Sequence, residues 1–372
     1  MSLESTQAAE RTGLALIMKG GGMKGLAYIG ALQELRRYYS FDMYAGTSAG
    51  AITAALLGAG YTADELRSIM METDFSAFLP ERLSRLTNLI FYGGLYRGIR
   101  LTLWLDKLLA TKLDSISQVV LGQLPIPVSV YACRRDKDAI IFDSFNRAST
   151  PVSYAVRCSM SIPFFFTPEW SEGIYVFDGG MRHNYPVRAL LKKFPGKKFI
   201  GLYLGEEVYN PRAPSILRDV VNIAFEAMDE ESLSEHRNST IVIDTSPIST
   251  LNFQLSREEK EFLLLQGRAA ARKFLKAQVL ISEQEQNEAK AEAAEARKHA
   301  LETRQRTPKT KILLIGISFA VAIAALAWLL KLNGELAIEP PSWSSISQVF
   351  RSTKCSPDMT FDERVECEKQ RK

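Results

Sequence analysis

Residues 45–50, AGTSAG, place a serine between two glycines, Gly46 and Gly50, at the point where a short apolar run gives way to an Ala-rich stretch. The run at 42–45 reads as a strand and 49–57 as the helix after it. This is the strand-turn-helix setting that a nucleophile elbow requires. A turn that sharp projects the Ser48 hydroxyl into open space and leaves no room for side chains at Gly46 and Gly50. The helix N-terminus beneath the serine favours negative charge of the kind that develops in acyl transfer.

Upstream, residues 19–25, KGGGMKG, follow the apolar run 14–18 and precede a helical pattern over 25–38 with Leu26, Ile29, Leu32 and Leu35 on one face. Alone, strand, GxGxxG and helix describe a dinucleotide site, with Asp42 about twenty residues on as a ribose-binding acid. Asp42 begins the second strand, however, and the strand ends in AGTSAG. Beside an elbow, the same loop reads as an oxyanion hole: Gly20, Gly21 and Gly22 let backbone N–H groups converge with no side chain intervening. Lys24 and Gly25 support it, Lys24 by holding the loop or adding positive potential.

A serine needs a base, and the chain has three histidines. His299 lies in a charged helical run and His236 in a polar, Glu-rich stretch. His183 is nearer a plausible site, but residues 175–187, YVFDGGMRHNYPV, offer Asp178 at the end of an apolar strand. Gly179 and Gly180 then allow that carboxylate to approach Ser48 and take its proton directly, provided that burial or coupling offsets its low solution pKa. Asp-Gly is equally an ordinary turn signal.

Apolar runs at 14–18, 42–45, 127–131, 139–143, 198–204 and 240–244 alternate with helical patterns, the mark of an α/β sheet. The pair 127–131 and 139–143 reads as a hairpin across CRRDKD, residues 133–138. The Leu- and aromatic-rich segment 75–109 reads as helical core before it reads as the lining of a greasy cleft. We expect a three-layer α/β/α hydrolase domain over 13–277, preceded by a polar tail, 1–12. Residues 278–311 read as a charged helical stalk because apolar residues larger than Ala almost vanish there.

Residues 312–330, ILLIGISFAVAIAALAWLL, carry no charge, and about 28 Å of helix matches a bilayer's hydrocarbon core. They read as one membrane span. Arg304, Arg306, Lys309 and Lys311 precede it and only Lys331 follows directly, so the catalytic body is expected on the cytosolic side and 331–372 on the opposite side. Cys133 and Cys158 are then reduced packing groups, whereas Cys355 and Cys367 lie where an oxidising compartment could pair them. The net charge of +4 is ordinary for a soluble surface, and nothing in it suggests that nucleic acid is a partner. No Cys or His spacing suggests a metal.

The three glycine-centred motifs, with AGTSAGAI, GLAYIGAL and AVRCSMSIPFFF around them, resemble the patatin-like phospholipase family in a bacterial-type, membrane-anchored form. The resemblance covers about 13–187. It implies a lipid acyl hydrolase with a Ser-Asp dyad, no histidine in the set and no cofactor. Ser48 is then the nucleophile, Asp178 the base and Gly20–Gly22 the oxyanion hole, with membrane phospholipids, lysophospholipids or glycerides as substrate. Two departures stand out: Lys19 replaces an Asp found in some members, and Cys158 replaces a frequent Ala. Two other readings follow from the same sequence. One is a silent, membrane-anchored scaffold whose stalk or tail binds a protein partner; the other is a nucleotide-binding oxidoreductase.

Overall fold

The computed structural model describes residues 13–79, 83–171, 173–205 and 229–306. The expected N-terminal tail, the membrane span 312–330, the tail 331–372 and Cys355 and Cys367 lie outside the described residues. Among the described residues no helix is long and apolar enough to cross a membrane.

The strands are β1 (Leu14–Met18), β2 (Phe41–Thr47), β3 (Gly94–Tyr96), β4 (Val128–Arg134), β5 (Lys137–Asp143), β6 (Phe164–Phe166), β7 (Glu169–Ser171), β8 (Ile174–Asp178), β9 (Phe199–Gly205) and β10 (Thr240–Asp244). Eight of them form one mixed sheet in the order β10-β9-β1-β2-β4-β8-β7, with β5 also paired to β4. From β10 to β4 the pairing is parallel, whereas β5 and β8 run antiparallel to β4. Every residue of β1 and β4 is buried, which a strand covered by helices on both faces requires. β3 and β6 make a separate two-stranded sheet.

One feature of the register positions the whole site. On a single edge of β4, β2 pairs with Val128 to Tyr131 and β8 continues from Ala132, so the two strands meet end to end. β5 occupies the other edge throughout. The C-terminal residue of β2, Thr47, pairs with Tyr131, and that of β8, Asp178, pairs with the next residue, Ala132.

The helices are α1 (Ala27–Leu35), α2 (Ala49–Gly58), α3 (Ala63–Glu72), α4 (Leu83–Tyr92), α5 (Ile99–Leu113), α6 (Val152–Ser159), α7 (Gly180–His183), α8 (Val187–Lys193), α9 (Asp229–Glu235), α10 (Arg257–Ala277) and α11 (Glu283–Arg306). The helix expected from residue 25 instead opens with a 3-10 turn, Gly22–Leu26, because the glycine loop tightens before regular α geometry begins at Ala27.

α10 starts at Ser256, whose side chain and that of Glu259 cap one another's backbone. It crosses α1 at two glycines. A Cβ on Gly267 would lie 1.8 Å from the Ala27 carbonyl oxygen, and one on Gly30 would lie 1.8 Å from that of Leu264. Beside the crossing, burial would raise the Glu34 pKa, but hydrogen bonds from Arg272 and Arg268 hold it below its usual value. Gly267→Leu therefore has nowhere to put its side chain without parting the helices. A loss of about 3 kcal/mol or more is expected in urea denaturation.

The compact unit that contains the sheet extends to Lys298, past residue 277. Within it, the first turns of α11 lie against the body: Gln266 donates to the Ala293 carbonyl at 3.3 Å, and Arg297 donates to that of Ser246 at 2.6 Å. Ala289 and Ala293 are buried there. A stripe of alanines packs closely without the large apolar residues by which a buried helix face is ordinarily recognised. Of the second unit, His299–Lys372, the described part is the end of α11.

Candidate active site

Ser48 follows β2 and caps α2 with φ 52° and ψ −116°, a left-handed conformation that costs a non-glycine residue roughly 1–3 kcal/mol. The flanking glycines are imposed by backbone contact. A Cβ at Gly46 would lie 2.3 Å from the Gly50 carbonyl carbon, and one at Gly50 would lie 2.3 Å from the Met18 carbonyl oxygen. The elbow is therefore wedged between β1 and its own helix. Ser159, at the end of α6, accepts the Ser48 N–H at 2.8 Å and donates to the Tyr131 carbonyl at 2.6 Å. No spacing in the sequence marks Ser159 for this work.

Where β8 meets β2, Asp178 is completely buried. Its N–H donates to the Ser161 carbonyl at 3.0 Å, and its Oδ1 accepts the Gly180 N–H at 2.7 Å. The other oxygen, Oδ2, has no partner at hydrogen-bond distance. Burial pushes the carboxyl up to about 7, while the Gly180 N–H and then the Ser48 hydroxyl pull it down. The Ser48 hydroxyl is therefore among the groups that lower this carboxyl. Cys133 donates its thiol to the Asp178 carbonyl at 3.2 Å, and burial, then Asp178, push that thiol up to about 12, so it is an inert packing group. Gly179 is pressed on the same seam, where a Cβ would meet the Tyr131 carbonyl oxygen at 2.3 Å.

The glycine loop lies directly against the serine: a Cβ on Gly20 would come within 3.3 Å of the Ser48 Cβ. Its three amides are not equivalent. The Gly20 N–H is engaged, donating to the Asn184 carbonyl at 2.9 Å, which removes it from the expected oxyanion hole and makes it a tie between the two loops. The N–H groups of Gly21 and Gly22 have no partner among the described residues. Lys24 closes the turn through its backbone, donating to the Gly21 carbonyl at 3.2 Å. Gly25 lets the turn approach α2, since a Cβ there would lie 2.8 Å from the Ala49 Cβ.

Lys19, the departure noted in the sequence, has a partner that sequence reading missed. Its side chain is buried, with Nζ 3.2 Å from Asp229 Oδ2 and 3.8 Å from the centroid of the Tyr203 ring. Asp229 Oδ1 in turn accepts the Tyr185 N–H at 2.9 Å, next to Asn184. Burial raises the Asp229 carboxyl, and Lys19 is the largest influence holding it down. The ion pair therefore braces the base of the glycine loop against the turn that follows Asp178. Lys19→Met should lose about 3–5 kcal/mol in denaturation by stranding a buried carboxylate, whereas Lys19→Met/Asp229→Leu should recover most of it.

A cavity of about 60 Å³ adjoins the elbow, lined by Gly22, Ala49, Ile52, Met160, Phe75 and Phe253. Met70, Leu101 and Trp104 also face it, so part of segment 75–109 lines an apolar cleft as well as filling core. His183 meets the elbow through its carbonyl, which accepts from Thr47 Oγ1 at 2.8 Å. Asp42 stands at the N-terminal end of β2, paired to Lys197 at 2.6 Å, at the opposite end of the sheet from the glycine loop. That placement overturns the ribose-binding role on which the oxidoreductase reading rested. Among the described residues, no His, Cys, Asp and Glu group is arranged to hold a metal ion.

Residues 16–191 match the family described as Patatin-like phospholipase. The protein YqhO of Bacillus subtilis is 28% identical over 283 residues, spanning 70% of this chain and 97% of YqhO. An NTE family protein of Mycobacterium tuberculosis is 30% identical over 295 residues, which are 71% of this chain and 47% of that protein. The crystal structure of VipD from Legionella pneumophila aligns with a TM-score of 0.48 and 15% identity, covering 87% of this chain and 81% of VipD. By these sequence matches the region that carries Ser48 and Asp178 is similar to patatin-like phospholipases, and the fold is a three-layer α/β/α arrangement.

Proposed function

We infer that this chain is a lipid acyl hydrolase that cleaves fatty-acyl esters through Ser48 and Asp178. The observation that supports the reading is the end-to-end meeting of β2 and β8, so that the strand leading into Ser48 ends next to the strand that ends in the buried Asp178. The match of residues 16–191 to patatin-like phospholipases supports the substrate class. Ser48 Oγ attacks the ester carbonyl as Asp178 takes its proton, and the oxyanion accepts the N–H groups of Gly21 and Gly22. Collapse expels the alcohol, which takes the proton back from Asp178. A water molecule, deprotonated by the same carboxylate, then attacks the acyl carbonyl, and the fatty acid leaves as Ser48 Oγ takes that proton back from Asp178. The apolar cavity beside the elbow suits an acyl chain.

Incubation with a fluorophosphonate probe tests the reading. Wild type should be labelled at Ser48 and should hydrolyse a short-chain acyl ester, and Ser48→Ala should do neither. An unlabelled, inactive wild type would leave only the fold. In the same reading, residues 312–330 anchor the body to the membrane that supplies its substrate, with the catalytic domain cytosolic and 331–372 across the bilayer. Protease protection of a tag placed after Lys372 in intact membranes tests that orientation.

A further inference from the structure

Because β8 runs antiparallel to β4, each residue before Asp178 stands further beyond the end of β2, at the end of the sheet where Ser48 lies. At about 3.3 Å per residue, Tyr175 is about 10 Å past the level of Asp178. Trp170 of β7 is its direct cross-strand partner, and the two rings meet edge to face with centroids 4.6 Å apart. Both rings are more than half exposed, Trp170 at 54% and Tyr175 at 53%.

A third exposed aromatic lies near the backbone partner of Asp178 in the chain. Phe164 comes three residues after Ser161, whose carbonyl accepts the Asp178 N–H, and it is 68% exposed. Its φ is 66°, a conformation that sterics disfavour for a bulky residue and that burial of this ring does not repay. Strain of this kind gathers at functional surfaces. The β3 partner of Phe164 is Gly94, just beyond the last turn of α4, where Phe91 is 56% exposed. Arg100, Arg135 on the β4–β5 turn and Arg182 on α7 are exposed among these elements. Two carboxylates nearby are neutralised: Asp136 is held by Arg134 at 2.6 Å, and Glu169 is buried against Arg157 at 3.4 Å.

The geometry points to Phe91, Phe164, Trp170 and Tyr175 as a rim that docks on a phospholipid bilayer, with Arg100, Arg135 and Arg182 favouring anionic headgroups. This rests on the lipid hydrolase reading and adds to it a surface that is separate from the membrane anchor. The occupant is argued from chemistry. Trp and Tyr rings have one apolar and one wet end, which suits headgroup depth, and arginines interspersed with aromatics match an anionic lipid surface. Aromatics carried on separate elements around one end of a sheet suit a fluid, planar partner. The rim would hold the mouth of the site against the layer from which an ester must be drawn.

The test compares two substrates with full-length protein: a monomeric short-chain ester, and phospholipid in vesicles of phosphatidylcholine with or without 20% phosphatidylserine. Phe164→Asp/Trp170→Asp should keep ester hydrolysis within about twofold and lose tenfold or more on vesicles, most strongly on those containing phosphatidylserine. An unchanged ratio of the two activities would overturn the rim. Should wild type hydrolyse neither substrate, the hydrolase reading fails and binding is read by fluorescence. Brominated phosphatidylcholine should then quench wild type more than Trp170→Phe, and equal quenching would also overturn the rim. If the double variant instead turns a dimer into a monomer while vesicle hydrolysis stays unchanged, the face is a contact between copies of this chain and the proposal is wrong.

Discussion

Ser48→Ala is expected to lower kcat on a short-chain acyl ester by about four to six orders of magnitude, with KM nearly unchanged. Only the hydroxyl oxygen leaves, so binding contacts in the cavity persist while the attacking atom is gone. The fold should scarcely notice, because the elbow is held by backbone contacts rather than by the hydroxyl. The Ser48 N–H still reaches Ser159, and the glycine contacts are untouched. Ser48→Gly should go further and raise stability by about 1–2 kcal/mol, since glycine adopts φ 52° without the steric cost that serine bears. An inactive protein that is harder to unfold is the expected pair of results, read by steady-state kinetics and urea denaturation. Loss of activity together with loss of stability would show that Ser48 serves the fold.

Asp178→Asn should reduce kcat by about three to four orders of magnitude and also change how stability depends on pH. In the folded chain burial pushes this carboxyl up to about 7, whereas an unfolded Asp titrates near 4. Between those values the folded state binds more protons than the unfolded state, so stability falls as pH rises. The cost grows from pH 4 and is complete above pH 7, at about 4 kcal/mol if the full shift applies. Asparagine can still accept the Gly180 N–H and carries no charge. The variant should therefore match wild type at pH 4 and exceed it by a few kcal/mol at pH 8. For wild type, kcat/KM should rise with pH through a midpoint near 7 as the carboxylate becomes available, and a midpoint near 4 would place the base elsewhere.

The parts of the site that were legible beforehand are those where local backbone geometry dictates the residue. Gly46 and Gly50 had to be glycine because main-chain atoms lie where a Cβ would go, and such a constraint leaves a mark of fixed spacing. The strand 14–18 stood out as an uninterrupted apolar run for an equally local reason. Ser159, Asn184 and Asp229 left no comparable mark. Each acts through contact with a residue far away in the chain, and a serine or aspartate engaged in that way looks like any other. The use of the Gly20 N–H was hidden too, because composition does not show which amides in a glycine run are already bonded. The packing of α11 depended on alanines, which resemble those of a solvated helix.

The seam where β2 hands over to β8 along β4 has a consequence for how activity is acquired. Thr47 and His183 are joined there across 136 positions of chain, so the groups proposed to react come from segments that meet only when the central sheet is fully threaded. Contacts of such long range form late, after local helices. Turnover is therefore a stringent gauge of completed assembly: during refolding it should return after the helical signal, and no contiguous piece of the chain ending before Asp178 can hold half of it.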